Sequence, residues 1–300
     1  MRWQDVALGI LITAIWGFNF VVLKVALVDV PPLLLTAIRF TLCCLPVLIL
    51  PRPAGMTWKA LIIVGLTSFL GQYILLFVAM AKGMPAGLSS VTLQLQVFVT
   101  ILLSILFLGE RPKMQQYLGG AVALAGLATI AATVGQGSSI PAIAMVFIVL
   151  SATTWAYGNF TVKQAGPGAG FGTVAGVCWA SLVPPLPAFA LALLLEGPDR
   201  VMTSLTHLQP ITIAAIAYTV ILSTWVGFAV WGRLLATYPA GTAAPLALLI
   251  PVFGGVSGYL VLGETLTALR LAGSLLIFLG LAIILLPWQR LRMARTISVK

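Results

Sequence analysis

Seven residues in an otherwise apolar chain have the types and spacing to recognise a small polar solute: Trp16, Asn19, Arg39, Gln94, Gln96, Trp155 and Asn159. Their chemistry is recognition, not bond-making. Arg39 carries a permanent planar cation that can grip a carboxylate through two parallel hydrogen bonds. The alternative reading has it snorkelling outward or tying helix ends through backbone carbonyls. Asparagine accepts from an ammonium and donates to a carboxylate, which suits a zwitterion at Asn19 and Asn159. It also glues helices together in a membrane, at about 0.6 kcal/mol per bond. Trp16 and Trp155 lie too deep in their apolar runs for an interfacial belt and are placed to shape a cavity. Gln94 and Gln96 are about 200° apart on a helix, so one faces a cavity and the other a neighbouring helix. Gln72 and Tyr73 are weaker candidates of the same kind.

The missing chemistry is equally informative. All six acidic residues, Asp5, Asp29, Glu110, Glu196, Asp199 and Glu264, fall at or near the ends of apolar runs. No carboxylate is placed to trade a lipophilic cation for protons at a bilayer centre. No embedded serine has a histidine or lysine base, and no aspartate cluster could hold a diphosphate through a metal. The single histidine, His207, falls in a predicted loop, and no glycine-rich phosphate loop points to ATP. Cys43, Cys44 and Cys178 lie inside apolar runs without a ligand cluster, so neither a metal nor a disulfide is expected. The sequence therefore predicts a protein that is not an enzyme and uses no cofactor.

These residues must be positioned by membrane-spanning helices. The chain is 61% hydrophobic and only 7% charged, with mean hydropathy +1.13, against about 25% charged residues in soluble domains. Apolar runs predict ten spans, at 6–28, 33–50, 58–80, 86–108, 115–134, 141–162, 170–194, 211–235, 241–262 and 268–287. The stretch 196–210 is the longest connection and reads as a loop. With ten spans, one side holds Arg2, Arg52, Lys59, Arg111, Lys113, Lys163, Arg233, Arg290, Arg292, Arg295 and Lys300. The other holds Lys24, Lys82, Arg200 and Arg270. That asymmetry puts both termini in the cytoplasm. The net charge of +10 is thereby assigned to span ends and anionic headgroups, with no nucleic-acid partner.

The chain also repeats itself. At an offset of 154, Pro85-Ala86-Gly87 falls on Pro239-Ala240-Gly241, Gly109-Glu110 on Gly263-Glu264, Gly119 on Gly273 and Gly126 on Gly280. Trp16 and Lys24 share the spacing of Trp155 and Lys163. Two repeats, 1–137 and 138–300, each hold five spans, an odd number, so the second copy lies inverted in the bilayer. Gly119, Gly126, Gly273 and Gly280 predict close packing between spans 5 and 10. Pro184, Pro185 and Pro187 should distort span 7, and Pro245 and Pro251 should kink span 9.

Trp16-Gly17-Phe18-Asn19-Phe20, Pro31-Pro32 ahead of Arg39-Phe40, Gly83-Met84-Pro85-Ala86-Gly87-Leu88, Gly109-Glu110-Arg111 and Trp155-Ala156-Tyr157-Gly158-Asn159 resemble the EamA family of the drug/metabolite transporter superfamily. Gln94-Leu95-Gln96 with Phe98, and Gly227-Phe228-Ala229-Val230-Trp231-Gly232, are similar to its O-acetylserine/cysteine exporter branch. The resemblance implies a ten-helix carrier in the bacterial inner membrane. It would export small neutral amino acids or related metabolites by alternating access. The cavity is expected among spans 1, 3, 4, 6, 8 and 9, with 5 and 10 peripheral. Another small metabolite of the superfamily, such as a sugar phosphate, nucleotide sugar or organic cation, is the rival substrate. A non-transporting membrane scaffold is a further alternative.

Overall fold

The helices begin and end where local chemistry dictates. Prolines open several of them, at Pro32, Pro185, Pro198 and Pro210, where the missing N–H has no intrahelical partner to lose. Thr57, Thr173 and Thr267 cap others through their hydroxyls. Gly109 and Gly263 end two equivalent helices in the left-handed conformation, at φ 64° and 68°. The structure, a computed structural model, describes residues 1–84, 86–132, 141–263 and 267–286. Pro85, Glu264 and the basic tail with Arg290, Arg292, Arg295 and Lys300 lie outside the described residues.

We label the long apolar segments in chain order, leaving aside the short helix at Pro198–Thr206. They are α1 (Trp3–Asp29), α2 (Pro32–Leu48), α3 (Trp58–Met80), α4 (Ser89–Leu108), α5 (Met114–Ala131) and α6 (Ala142–Ala165). Next come α7, made of Val174–Ala180 and Pro185–Leu195, then α8 (Pro210–Thr237), α9 (Ala240–Leu262) and α10 (Ala268–Leu285). Among the described residues seven of these are long and apolar enough to cross a membrane, or eight if the two pieces of α7 form one span. The segments α2 and α5 fall outside that set: α2 is short, and α5 opens with Gln115 and Gln116. Leu48, Leu186, Leu194 and Leu260 are among many large apolar side chains on the outside, as a lipid-facing surface requires.

Prolines break the helices where the sequence predicts. The two pieces of α7 meet at 45° around Pro184 and Pro185, and α9 is a 3₁₀ helix over Ala244–Leu249, around Pro245. The stretch 196–210 is not simply a loop. Gly197, at φ 89°, turns the chain into the helix Pro198–Thr206, which packs on α7.

The packing recurs by halves. α1 runs along α9 while α6 runs along α4; α1 also packs on α8 while α6 packs on α3. α5 and α10 make the most extensive helix pair. A Cβ added at Gly119 would lie 2.5 Å from the Gly280 carbonyl, and one at Gly126 would lie 2.5 Å from that of Gly273. Only glycine permits this approach of backbones. Two π-helical segments also recur, Gly65–Gly71 in α3 and Thr219–Val226 in α8, at the same 154-residue offset as the sequence motifs.

Candidate functional site

A narrow chamber lies at the centre of the bundle, with space of about 50 Å³. It is lined from α1 by Trp16, Asn19, Phe20 and Leu23, and from α3 by Gln72, Tyr73 and Leu76. The rest of the wall is Leu93 and Gln94 of α4, Trp155 of α6, Ser223 and Phe228 of α8, and Ile250 of α9. These are the six helices expected from the sequence; among the described residues α2, α5, α7 and α10 contribute nothing to the lining. The chamber shares Phe20, Leu23 and Leu76 with a larger, mostly apolar vestibule of about 250 Å³ that reaches Lys24 and Arg270.

The π segment of α8 builds one wall. Its wider turns carry the Gly227 N–H back to the Leu222 carbonyl, five residues away, and the Thr224 hydroxyl donates to the Thr219 carbonyl at 2.7 Å. The carbonyls of this segment thereby leave the α register. The Trp16 indole N–H donates to the Ser223 carbonyl at 2.9 Å. Gly227 makes room for it, because a Cβ there would sit 2.6 Å from Trp16 Nε1. Trp16 then meets Trp155 edge-on at 6.0 Å and lies against Phe228 at 5.2 Å.

Arg39 is 2% exposed, yet it does not line the chamber. Its Nε donates to the Thr224 hydroxyl at 2.8 Å and its Nη2 to the Ser223 hydroxyl at 3.3 Å. The guanidinium lies over the Tyr73 ring at 4.8 Å and faces Phe40 at 5.4 Å. It is therefore one side chain behind the wall, held by hydroxyls and π faces, with no carboxylate partner among the described residues.

Asn159 and Gln96 are engaged with each other. Asn159 Nδ2 donates to Gln96 Oε1 at 2.8 Å, and Trp231 Nε1 donates to Asn159 Oδ1 at 2.9 Å. The chain Trp231–Asn159–Gln96 crosses α8, α6 and α4 outside the chamber lining. Gln94 has the other role: its Nε2 donates to the Ser90 carbonyl at 3.1 Å while its side chain lines the chamber. Trp16, Asn19, Gln94 and Trp155 are thus brought together, whereas Arg39, Gln96 and Asn159 lie outside the lining. Sequence reasoning passed over Ser223, Thr224, Phe228 and Trp231 as site residues. The signal for Phe228 and Trp231 was present in the run Gly227-Phe228-Ala229-Val230-Trp231-Gly232, but no periodicity announces the π turn that presents Ser223 and Thr224.

One end of the bundle is closed by charge. Lys163 Nζ lies 2.8 Å from Glu110 Oε1 and donates to the Tyr238 carbonyl at 2.7 Å. The other Glu110 oxygen accepts from the Ala240 N–H at 2.8 Å, capping the start of α9. The Gly-Glu pair of one half thus meets the Pro-Ala-Gly run of the other. Close by, Asp5 accepts from Arg2 at 2.9 Å, from the Tyr238 hydroxyl at 2.5 Å and from Arg233. The hydrogen bond to Asp5 holds the exposed Arg2 guanidinium above its ordinary pKa. Just past the end of α7, Glu196 receives the N–H groups of Leu33 and Leu34 at 2.7 and 3.0 Å; burial pushes its carboxyl up, partly offset by those bonds.

A family model described as the EamA-like transporter family matches residues 4–132 and 142–286, one match in each half. The chain belongs to the EamA-like transporter family. A "probable amino-acid metabolite efflux pump" of Salmonella typhimurium is 37% identical, with 98% of this chain and 99% of the relative covered. A protein of Escherichia coli with the same description is 36% identical over 94% of this chain and 95% of its own length. A "probable terminal-alkyne amino-acid exporter" of Streptantibioticus cattleyicolor is 27% identical over 67% of this chain and 64% of its own length. A solved crystal structure, 19% identical in sequence, matches the fold at a TM-score of 0.74 and covers 97% of this chain and 99% of its own. This family member is a multi-pass membrane transporter and not an enzyme.

Proposed function

We propose that this transporter exports small neutral amino acids or related metabolites, of the cysteine and O-acetylserine kind, across the bacterial inner membrane by alternating access. The observation that carries the reading is the central chamber, walled by a tryptophan from each half and by amides of the first, and lined among the described residues by neither lysine nor arginine. A sugar phosphate or nucleotide sugar carries two or more negative charges and calls for several cations in contact with it. A zwitterion needs polar groups of both kinds and little net charge. The descriptions of the Salmonella and Escherichia coli relatives agree with this substrate class.

The proposed architecture is ten spans in two inverted five-helix repeats, 1–137 and 138–300, with both termini cytoplasmic. It is supported by the one-per-half family match, the matched π segments and the equivalent helix pairings. The distribution of lysine and arginine supports the orientation. In this reading Trp16, Asn19, Gln94 and Trp155 contact substrate. Arg39 biases the wall toward a carboxylate through Ser223 and Tyr73, and Asn159 with Gln96 holds three helices in register. The Glu110–Lys163 end is the cytoplasmic gate.

The test is counterflow of labelled cysteine, O-acetylserine and a wider neutral amino-acid panel in proteoliposomes, with and without imposed pH and voltage gradients. Saturable exchange of small neutral amino acids is expected. Exchange of sugar phosphates or organic cations instead would keep the fold and overturn the substrate. Absence of any solute flux would favour a scaffold.

A further inference from the structure

The chamber carries an imbalance that the substrate class alone does not explain. Three side-chain carbonyl oxygens on its lining residues, Asn19 Oδ1, Gln72 Oε1 and Gln94 Oε1, are buried without a hydrogen-bond partner. These residues are 7%, 4% and 0% exposed, so bulk water does not serve them. The amide of Gln94 is oriented by its Nε2 donating to the Ser90 carbonyl, which leaves the oxygen unused. Buried acceptors left unpaired are costly, and native proteins rarely leave several together.

A water molecule donates only two hydrogen bonds, one fewer than the three oxygens can take. A primary ammonium group donates three. The other walls suit the same guest. The rings of Trp16, Trp155 and Phe228 border the same space, and aromatic rings favour a desolvated cation as neighbour. The space of about 50 Å³ admits a small polar head but not a whole metabolite, while the adjoining apolar vestibule of about 250 Å³ has room for the remainder.

We infer that Asn19, Gln72 and Gln94 form an ammonium subsite, three amide carbonyls that recognise the protonated primary amine of the transported solute. The assignment rests on the export reading above and narrows it: the amine is obligatory, and the side chain extends into the vestibule. It also separates the two glutamines of α4 by role, Gln94 touching the solute and Gln96 holding Asn159. The carboxylate end falls to the remaining donors, the unpartnered Trp155 Nε1 and the Ser223 hydroxyl backed by Arg39.

The experiment is titration calorimetry on the purified full-length protein in detergent, with several small neutral amino acids, their amides, their N-acetyl derivatives and the matching 2-oxo acids. Amino acids and amides should bind. The N-acetyl derivatives and oxo acids, which keep the carboxylate but lose the ammonium, should bind about tenfold more weakly or not at all. Equal binding of N-acetyl and free amino acids, or no binding by any primary amine in the panel, would overturn the subsite. Gln94→Glu adds charge at the same place and should shift preference toward the cationic amides by about tenfold relative to the zwitterions. A merely structural Gln94 would give no such reversal, and an unchanged preference in folded protein counts against the subsite. Counterflow is read separately. Amine-selective binding without amino-acid flux would remove the export reading while supporting this one.

Discussion

Replacing Glu110 by Gln should loosen the end of the bundle where the two halves meet. The Glu110 carboxylate takes Lys163 Nζ on one oxygen and the Ala240 N–H on the other, both at 2.8 Å. The glutamine side chain keeps an acceptor for Ala240 but removes the ion pair. Lys163, only 9% exposed, would then rely on the carbonyls of Tyr238 and Leu235. Breaking a fully buried pair costs about 3–5 kcal/mol, and an exposed pair is worth about 0–1 kcal/mol. With Glu110 at 20% exposure, an intermediate loss of about 2 kcal/mol is expected, which is about a 30-fold shift toward opening at this end. Hydrogen exchange reads it directly. The backbone amides over Ala240–Ala243 should exchange about 30-fold faster in Glu110→Gln, with smaller changes in α5 and α10. Lys163→Met should give a similar effect, and the double variant should be less than additive because both substitutions remove one interaction. Unchanged protection in folded Glu110→Gln protein would refute the idea that this pair holds the end closed.

Gly126→Leu should prevent α5 and α10 from meeting, since even a Cβ would lie 2.5 Å from the Gly273 carbonyl; loss of folded protein on size-exclusion chromatography is expected. Asn159→Leu leaves the buried Trp231 Nε1 and Gln96 Oε1 without their main partner, and a loss of about 2–4 kcal/mol should appear as a lower thermal midpoint. Arg39→Ala should raise the apparent KM for a carboxylate-bearing solute about tenfold in counterflow, and an unchanged KM would restrict Arg39 to packing. For Glu196, burial raises the folded-state pKa above its ordinary 4.5. The associated stabilisation is present below the unfolded value and lost as pH rises through the folded one. Glu196→Gln should therefore flatten the pH dependence of stability from about pH 4.5 upward, measured by thermal unfolding across that range.

The sequence by itself determined the solvent, the helical class and the places where helices break. A chain with 7% charged residues has no soluble core to build, and unsatisfied backbone in lipid leaves helices as the way to bury these runs. Proline and glycine act locally, so the break of α7 at Pro184, the 3₁₀ turn at Pro245 and the glycine crossing of α5 on α10 were legible from residue type and spacing. Four of the six cavity helices, spans 1, 3, 4 and 6, were legible too, from the polar side chains gathered in them.

Which polar atom faces the chamber was a different matter. Asn19 and Asn159 have similar sequence surroundings, yet Trp231 engages one and the other lines the chamber. Gln94 and Gln96 differ by two residues, and the interruption of helix around Leu93 and Gln94 sets which of them turns inward. Arg39 is withdrawn behind Tyr73 because the π segment of α8 offers it the hydroxyls of Ser223 and Thr224. These outcomes depend on rotation of one helix against another by a fraction of a turn. Composition and periodicity fix the face that is apolar, but only the packed neighbours decide which hydrogen-bond partner each buried polar atom finds.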